Sequence, residues 1–152
     1  MTLKTLFNTA DKNDMLARIR RLRPDSKAQW GKMNAAQMLA HCQVGLNVAA
    51  GDMKIKRVLI GLLFGRFAKK VLAGPEPFKH GLPTGREFIF SDTRDFARER
   101  DQLIAVIERF SAAGPKGLTQ EAHPFFGKLS VAEWENLMWK HLDHHVRQFE
   151  SA

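Results

Sequence analysis

The chain has 152 residues, 44% of them apolar and 26% charged, which is typical of one soluble globular domain spanning residues 1–152. Its net charge of +8 favours anionic partners, but without tyrosines or an RNA-binding signature we do not expect nucleic-acid recognition. The single cysteine, Cys42, excludes an internal disulfide and a multi-cysteine zinc site. The first residues do not resemble a signal peptide, and no apolar run is long enough to cross a bilayer. We therefore expect a cytoplasmic protein.

Two helices are predicted in the N-terminal third of the chain. The first begins near Thr9 or Asn13, both acceptable N-caps, and ends before Pro24, because the residue preceding a proline avoids the helical region. The second begins at Asn34 and carries apolar residues at helical spacing. His41 lies at the border of its apolar face, beside small residues. Those small residues would let another helix approach closely or leave room for a ligand.

Residues 54–72 carry six basic side chains and no acidic one. Their periodicity predicts a helix with an apolar stripe of Ile60, Phe64, Phe67 and Val71. Such a helix can pack against the rest of the domain, form a dimer contact or lie on a membrane surface. We rank packing first, a dimer contact second and a membrane contact third.

The middle of the chain joins this segment to the next long helix. Residues 73–90 contain three prolines and three glycines, which predicts an extended crossover. His80 lies there without a companion at helical spacing, so we expect a surface histidine. The next helix starts at Ser91 or Asp92 and ends before Gly114, a residue suited to the position after a helix.

The last helix has the clearest start signal, a capping box with Ser130 as N-cap and Glu133 three residues later. The chain shows no strand alternation of useful length and no internal repeat. Four longer helices and a shorter one at the crossover predict an all-α fold, a four-helix bundle with a long crossover and a short extra helix.

Three histidines form the most informative pattern. His141 and His145 are four residues apart, so they share one face of the last helix and continue its apolar stripe. His41 can provide a third ligand if its helix is a neighbour, and three protein ligands with one open position describe a catalytic zinc-type site. Zinc, nickel and iron(II) all suit such ligands. His144 lies about 100° from His145, at the edge of the face. Spacing alone leaves open the alternative that these histidines are solvated or bonded to the backbone.

Several other polar residues are weaker candidates for the site. Gln148 shares the face of the two histidines and could donate a hydrogen bond to a water or to substrate, or simply form an edge hydrogen bond at the helix end. Arg66, Arg86 and Arg147 are candidates for contact with an anion, or solvated charges. Asp143 lies on the opposite side of the helix. No HExxH motif and no glycine-rich phosphate loop offers a rival chemistry.

These motifs resemble a known family. HLDHHVRQ at 141–148 resembles the C-terminal helix motif of the DinB-like, or YfiT-like, metal-dependent superfamily, and AAQMLAHC at 35–42 resembles its second-helix motif. The stretch at 123–149 is similar to a subgroup described only as a domain of unknown function. The resemblance covers essentially the whole chain. Val146-Arg147 departs from the arginine-glycine that others have before the glutamine, which leaves the ligands intact but weakens any inference about substrate.

The resemblance implies a single four-helix bundle domain, often a homodimer, that holds a divalent metal, commonly nickel or zinc. Carried onto this sequence, the ligands are His41, His141 and His145. Characterised relatives include thiol-dependent transferases and isomerases that use low-molecular-weight thiols. We therefore expect a metal-dependent enzyme of the thiol-dependent transferase or hydrolase type, acting on an unidentified small molecule, and no peripheral membrane contact. The alternative is a non-enzymatic helical interaction module with a structural or vestigial metal site.

Overall fold

The computed structural model describes residues 3–57, 59–82 and 84–150, and only the backbone of Ile60 and Phe64. Its secondary structure in those residues is helical, apart from an isolated bridge between His123 and Gly127. The prediction of an all-α fold is therefore confirmed. The helices are α1 (Thr9–Arg21), α2 (Ala35–Ala49), α3 (Leu59–Ala73), α4 (Phe96–Ala113) and α5 (Val131–Phe149), with 3₁₀ turns at Arg86–Phe88 and Pro115–Gly117. None of the helices in the described ranges is both long and apolar enough to span a membrane.

Local side-chain bonds set the starts of the two helices that carry the histidines. Asn34 caps α2 because its side chain accepts a hydrogen bond from the backbone N–H of Gln37. The Gln37 side chain in turn accepts one from the backbone N–H of Asn34. Ser130 and Glu133 form the same reciprocal pair at α5. Each box satisfies two amides that have no partner inside the helix. The predicted start of each helix is confirmed.

The predicted N-caps of α1 and α4 need correction, although α1 begins at Thr9 as predicted. The N-cap of α1 is Asn8, whose side chain accepts from the Asp11 amide, so neither Thr9 nor Asn13 caps the helix. The observed N-cap lies one residue before Thr9. Asn8 and Thr9 are adjacent polar residues that can both cap a helix, and the local pattern does not decide between them.

The error at α4 is larger, because the helix begins at Phe96 and is capped by Asp95 rather than by Ser91 or Asp92. The Asp92 carbonyl oxygen accepts a hydrogen bond from the Gln37 side chain at 2.9 Å. This long-range contact attaches residue 92 to α2, while Asp95 provides the cap three residues further on.

Helices α1, α2, α4 and α5 share one hydrophobic core, to which α3 contributes Leu72. Both α1 and α2 contact α4 and α5, and α2 is buried along most of its length. Leu39 of α2, Leu103 of α4 and Leu142 of α5 are fully buried in this core. Burial of each such side chain stabilises the fold by roughly 1.5–3 kcal/mol. Because α2 and α5 are neighbours, the helix carrying His41 packs beside the helix carrying the other two histidines.

Helix α3 packs through its glycines. A Cβ atom added at Gly61 would lie 2.4 Å from the Phe125 carbonyl oxygen, and one added at Gly65 would lie 2.9 Å from the same oxygen. On the same side, Lys140 Nζ donates to the carbonyl oxygens of Val71 and Gly74, at 2.6 and 2.8 Å. Main chain of the 123–127 turn therefore lies directly against α3.

Two of the four residues in the predicted apolar stripe of α3 do not pack against the protein. Phe67 is 70% exposed and Val71 is 46% exposed, so the prediction that these two side chains pack is wrong. The side chains of Ile60 and Phe64 lie outside the described part of the chain. The physical reason is the close approach of the 123–127 turn at Gly61 and Gly65, and two turns beyond Gly65 the same side of α3 buries Leu72.

Replacing Gly61 with alanine should destabilise the protein by about 1–3 kcal/mol, the usual cost of overpacking. The added methyl group would clash with backbone atoms of Phe125, which cannot move as a flexible side chain could. The measurement is urea unfolding of the variant beside Gly74→Ala, where the new Cβ meets nothing closer than 4.0 Å. Equal stability of the two variants would contradict the close packing of α3.

Candidate metal site

The structure brings together the three histidines selected from the sequence. His41 from α2 lies against His141 and His145 from α5, and one ring nitrogen of each lies within 4.8 Å of those of the other two. The Nε2 atoms of His41 and His141 are 2.9 Å apart, and the ring centroids of His41 and His145 are 4.4 Å apart. His41 is buried and the other two are half-buried. The cluster is therefore a compact set of three nitrogen donors at the α2–α5 contact.

A main-chain carbonyl orients His41. The His41 Nδ1 atom lies 2.8 Å from the carbonyl oxygen of Phe88, at the end of the 3₁₀ turn in the crossover. A carbonyl oxygen only accepts, so Nδ1 carries the proton and Nε2 presents a lone pair to the cluster. In the 2.9 Å contact between the Nε2 atoms of His41 and His141, the donor is therefore His141 Nε2 and the acceptor is His41 Nε2. The sequence carries no signal for Phe88, because its contribution is a backbone atom.

Gln148 orients His145 in the same way. Its Oε1 accepts from His145 Nδ1 at 2.9 Å, and its Nε2 donates to the Trp30 carbonyl oxygen at 2.6 Å. Both ends of the amide are thus engaged, which leaves His145 Nε2 as the lone-pair nitrogen. The predicted role of Gln148 as a donor to water or substrate stays a prediction. Gly31 permits this arrangement: its φ is +80°, and a Cβ there would lie 2.7 Å from Gln148 Nε2.

The glycine in α2 makes room for His141. A Cβ atom added at Gly45 would lie 3.1 Å from His141 Nδ1 and 3.2 Å from Cε1. Distances this short would force the imidazole to move. The expectation that small residues near His41 admit a close neighbour is therefore confirmed, and the neighbour is a histidine ring.

Burial keeps the three imidazoles neutral. Desolvation lowers the pKa of His145 from 6.5 to about 3. It also lowers the pKa of His41, and it lowers that of His141 well below the usual value, with the nearby His145 contributing in the same direction. A neutral imidazole is the form that binds a metal ion. At neutral pH all three rings are therefore neutral, and His141 Nε2 must release the proton that it donates to His41 before it can bind a metal ion.

The three candidate arginines lie outside the cluster. Arg66, Arg86 and Arg147 are exposed, and Arg147 Nε forms an ion pair with Asp143 at 2.9 Å. Asp143 also pairs with Arg18 of α1 at 2.7 Å, on the side of α5 away from the ligands. Asp143 therefore attaches α5 to α1, and the role of the arginines in anion contact stays a prediction.

A second group of rings adjoins the cluster. His80 is exposed, as predicted, but it is not isolated: its ring stacks on Trp30, with centroids 3.7 Å apart and planes 11° apart. His144 lies 5.4 Å from Trp30 and 4.9 Å from His145 between ring centroids, outside the set of three. The Trp30–His80 stack joins the loop before α2 to the crossover beside the site.

The metal-free protein should lose stability as the pH falls from about 6.5 toward 3. The unfolded chain takes up protons on its histidines below pH 6.5, whereas buried His145, with its pKa of about 3, stays neutral in the folded state. Each such group contributes up to about 1.4 kcal/mol per pH unit. Urea unfolding in chelator between pH 7 and 4 measures this slope. His145→Ala should show a shallower slope, and an unchanged slope would contradict the burial of a neutral imidazole.

Comparison with known proteins places the chain in a family. A family model described as "Protein of unknown function (DUF1569)" matches residues 1–152. No match was found among curated proteins or among solved structures. Since the match spans the full length given, the chain belongs to the DUF1569 family, whose function is not known.

Proposed function

We propose that this protein binds a divalent metal ion through His41, His141 and His145 and is a metal-dependent enzyme. One observation carries the proposal: three neutral imidazoles converge, and two of them have Nδ1 engaged, by the Phe88 carbonyl and by Gln148. Hydrogen bonds of this kind, made by the nitrogen that does not bind the metal, orient histidine ligands in metalloproteins. Buried N–H groups need partners in any cluster, but a structural cluster does not need three ring nitrogens that converge on one point.

The distances between the nitrogens fit a metal ion. Zinc–nitrogen bonds of about 2.0–2.1 Å in a tetrahedral site separate the nitrogens by roughly 3.3 Å. The observed separations, from 2.9 Å for one pair up to a limit of 4.8 Å, bracket that value. Three protein ligands leave one position open for a substrate or a water. A divalent ion held there would act as a Lewis acid and lower the pKa of a bound thiol or water.

The identity of the metal and the wider assignment rest on the resemblance to the DinB-like superfamily. Nitrogen ligands suit zinc, nickel and iron(II), and the resemblance favours nickel or zinc. The packing of α1, α2, α4 and α5 about one core supports a single four-helix bundle domain of that type. The homodimer and the cytoplasmic location stay predictions.

We further propose a thiol-dependent transferase or hydrolase reaction. The net charge of +8 favours an acidic substrate, such as a low-molecular-weight thiol that carries carboxylates. Within the chain, Phe88 and Gln148 hold the ligand tautomers, and the surrounding core restricts water around the imidazoles. Each of these contributions pre-organises the site before substrate binds.

The test is a panel of low-molecular-weight thiols with electrophilic and hydrolysable test substrates. Purified protein would be stripped with chelator, reloaded with zinc or nickel and assayed beside the stripped protein and His41→Ala. Turnover that requires both a thiol and the reloaded metal would support the thiol-dependent enzyme, and metal-dependent turnover without a thiol would support the hydrolase. Metal binding at one ion per chain with no turnover would favour the interaction module. Failure of the wild type to bind either metal would overturn the proposed site.

The interaction module is the second candidate because α3 presents a large exposed apolar face. Leu59, Leu63 and Phe67 are 72%, 65% and 70% exposed. In that function the three histidines serve as a structural or vestigial site, and α3 provides the binding surface.

A further inference from the structure

The side of α3 that faces away from the protein, called here the outer face, is apolar and exposed. Its apolar members represent five of the nine exposed large apolar side chains in the described part of the chain. They are Leu59, Leu62, Leu63, Phe67 and Val71, with exposed fractions of 72%, 57%, 65%, 70% and 46%. Single exposed apolar residues are ordinary, whereas a contiguous patch on one helix indicates a binding surface.

Basic side chains lie within the same outer face. With a helical turn of about 100° per residue, Arg66 projects about 20° from Leu59, and Lys70 projects about 20° on the other side. Both side chains are exposed. No acidic residue occurs between positions 53 and 75, although six basic ones do. The outer face therefore combines an apolar surface with positive charge and has no compensating carboxylate of its own.

The inner side of α3 is held in place, so the outer face cannot simply turn inward. Gly61 and Gly65 lie against the main chain of the 123–127 turn. Lys140 Nζ, from α5, donates to two carbonyl oxygens at the end of the helix, those of Val71 and Gly74. Rotation of the helix would break these bonds and drive side chains into the turn.

Because Phe67 and Val71 are exposed rather than packed, we propose, against the expectation from the sequence, that the outer face of α3 docks on the anionic surface of a lipid bilayer. Leucine and phenylalanine side chains would enter the boundary between headgroups and acyl chains, as in interfacial amphipathic helices. Arg66 and Lys70 would lie with their aliphatic stems in that layer and their charged ends at lipid phosphates. A second copy of the chain is a poorer occupant, because a contact between two copies of this face would bury Arg66 and Lys70 against a surface that carries no carboxylate. This docking does not depend on the metal site.

The test is co-sedimentation with vesicles of phosphatidylcholine, with and without about 30% phosphatidylserine, at physiological salt. The wild type should bind the anionic vesicles and bind the neutral ones at least tenfold more weakly, because the negative surface potential attracts basic side chains. Arg66→Glu/Lys70→Glu should weaken anionic binding at least tenfold. Leu63→Ser/Phe67→Ser, which leaves the charge unchanged, should weaken it by a similar factor. The melting temperature of each variant checks its folding.

A matched control separates a specific surface from general attraction by a basic protein. Arg20 and Arg98 are exposed on α1 and α4, and Arg20→Glu/Arg98→Glu changes the net charge by the same amount. This control should bind within about twofold of the wild type. Three outcomes would each overturn the proposal. The first is an equal loss of binding in both charge variants, the second is full binding by Leu63→Ser/Phe67→Ser, and the third is no binding by the wild type. The oligomeric state, measured by analytical sedimentation, gives a fourth such outcome. If the wild type is a dimer and Leu63→Ser/Phe67→Ser is a monomer, the outer face binds a second copy of the chain and the proposal fails.

Discussion

His141→Ala should lower the affinity of the protein for zinc or nickel by more than about 100-fold. Loss of a residue that only supports a ligand typically costs 10–100-fold, so loss of a ligand exceeds that range. His141 is one of the three converging ligands, since its Nε2 lies 2.9 Å from that of His41 and its ring centroid lies 4.8 Å from that of His145. Metal content after equilibrium dialysis, together with calorimetric titration, measures the effect.

The control for this prediction is a histidine on the same helix that lies outside the cluster. His144→Ala removes an imidazole one residue from His145 but none of the three converging nitrogens, so metal content should stay at one ion per chain. His141→Ala also removes the hydrogen-bond partner of His41, which should cost about 1–3 kcal/mol of metal-free stability. Full metal occupancy in His141→Ala would show that the cluster is not the site.

Gln148→Met should weaken metal binding by about 10–100-fold without abolishing it. Methionine is similar in volume but gives His145 Nδ1 no comparable acceptor, so the imidazole loses the bond that directs Nε2 into the cluster. The three ligands themselves remain. This intermediate loss distinguishes a residue that positions a ligand from a residue that only contacts substrate, because the second kind would leave metal affinity unchanged.

Two further variants sharpen the assignment of Gln148. Gly31→Ala should weaken metal binding in the same direction, because the residue would be strained at φ +80° and its Cβ would meet Gln148 Nε2 at 2.7 Å. Gln43→Met is the matched control: it breaks hydrogen bonds between α2 and Glu99 but leaves the histidines untouched. If Gln148→Met and Gln43→Met kept wild-type affinity alike, the positioning role would be excluded and the predicted donor role of Gln148 would be favoured.

Features that depend on a few consecutive residues were predictable from the sequence. The capping boxes at Asn34 and Ser130 involve partners three residues apart, so pattern alone located the starts of α2 and α5. The pairing of His141 with His145 follows from the helical repeat, which places residues four apart on one face. The all-α character follows from the same periodicity. Each of these inferences needed no knowledge of how the helices are arranged.

The tertiary structure decided everything that joins distant segments. It made α2 a neighbour of α5, which brought His41 to the other two histidines. It provided the Phe88 and Trp30 carbonyl oxygens, which leave no trace in side-chain pattern because every residue has a carbonyl. It also oriented α3, whose amphipathic pattern suggested a packed stripe including Phe67, whereas the close backbone of the 123–127 turn admits only its glycine face. Periodicity shows that a helix has an apolar side, but which side is buried depends on the distance of its neighbour.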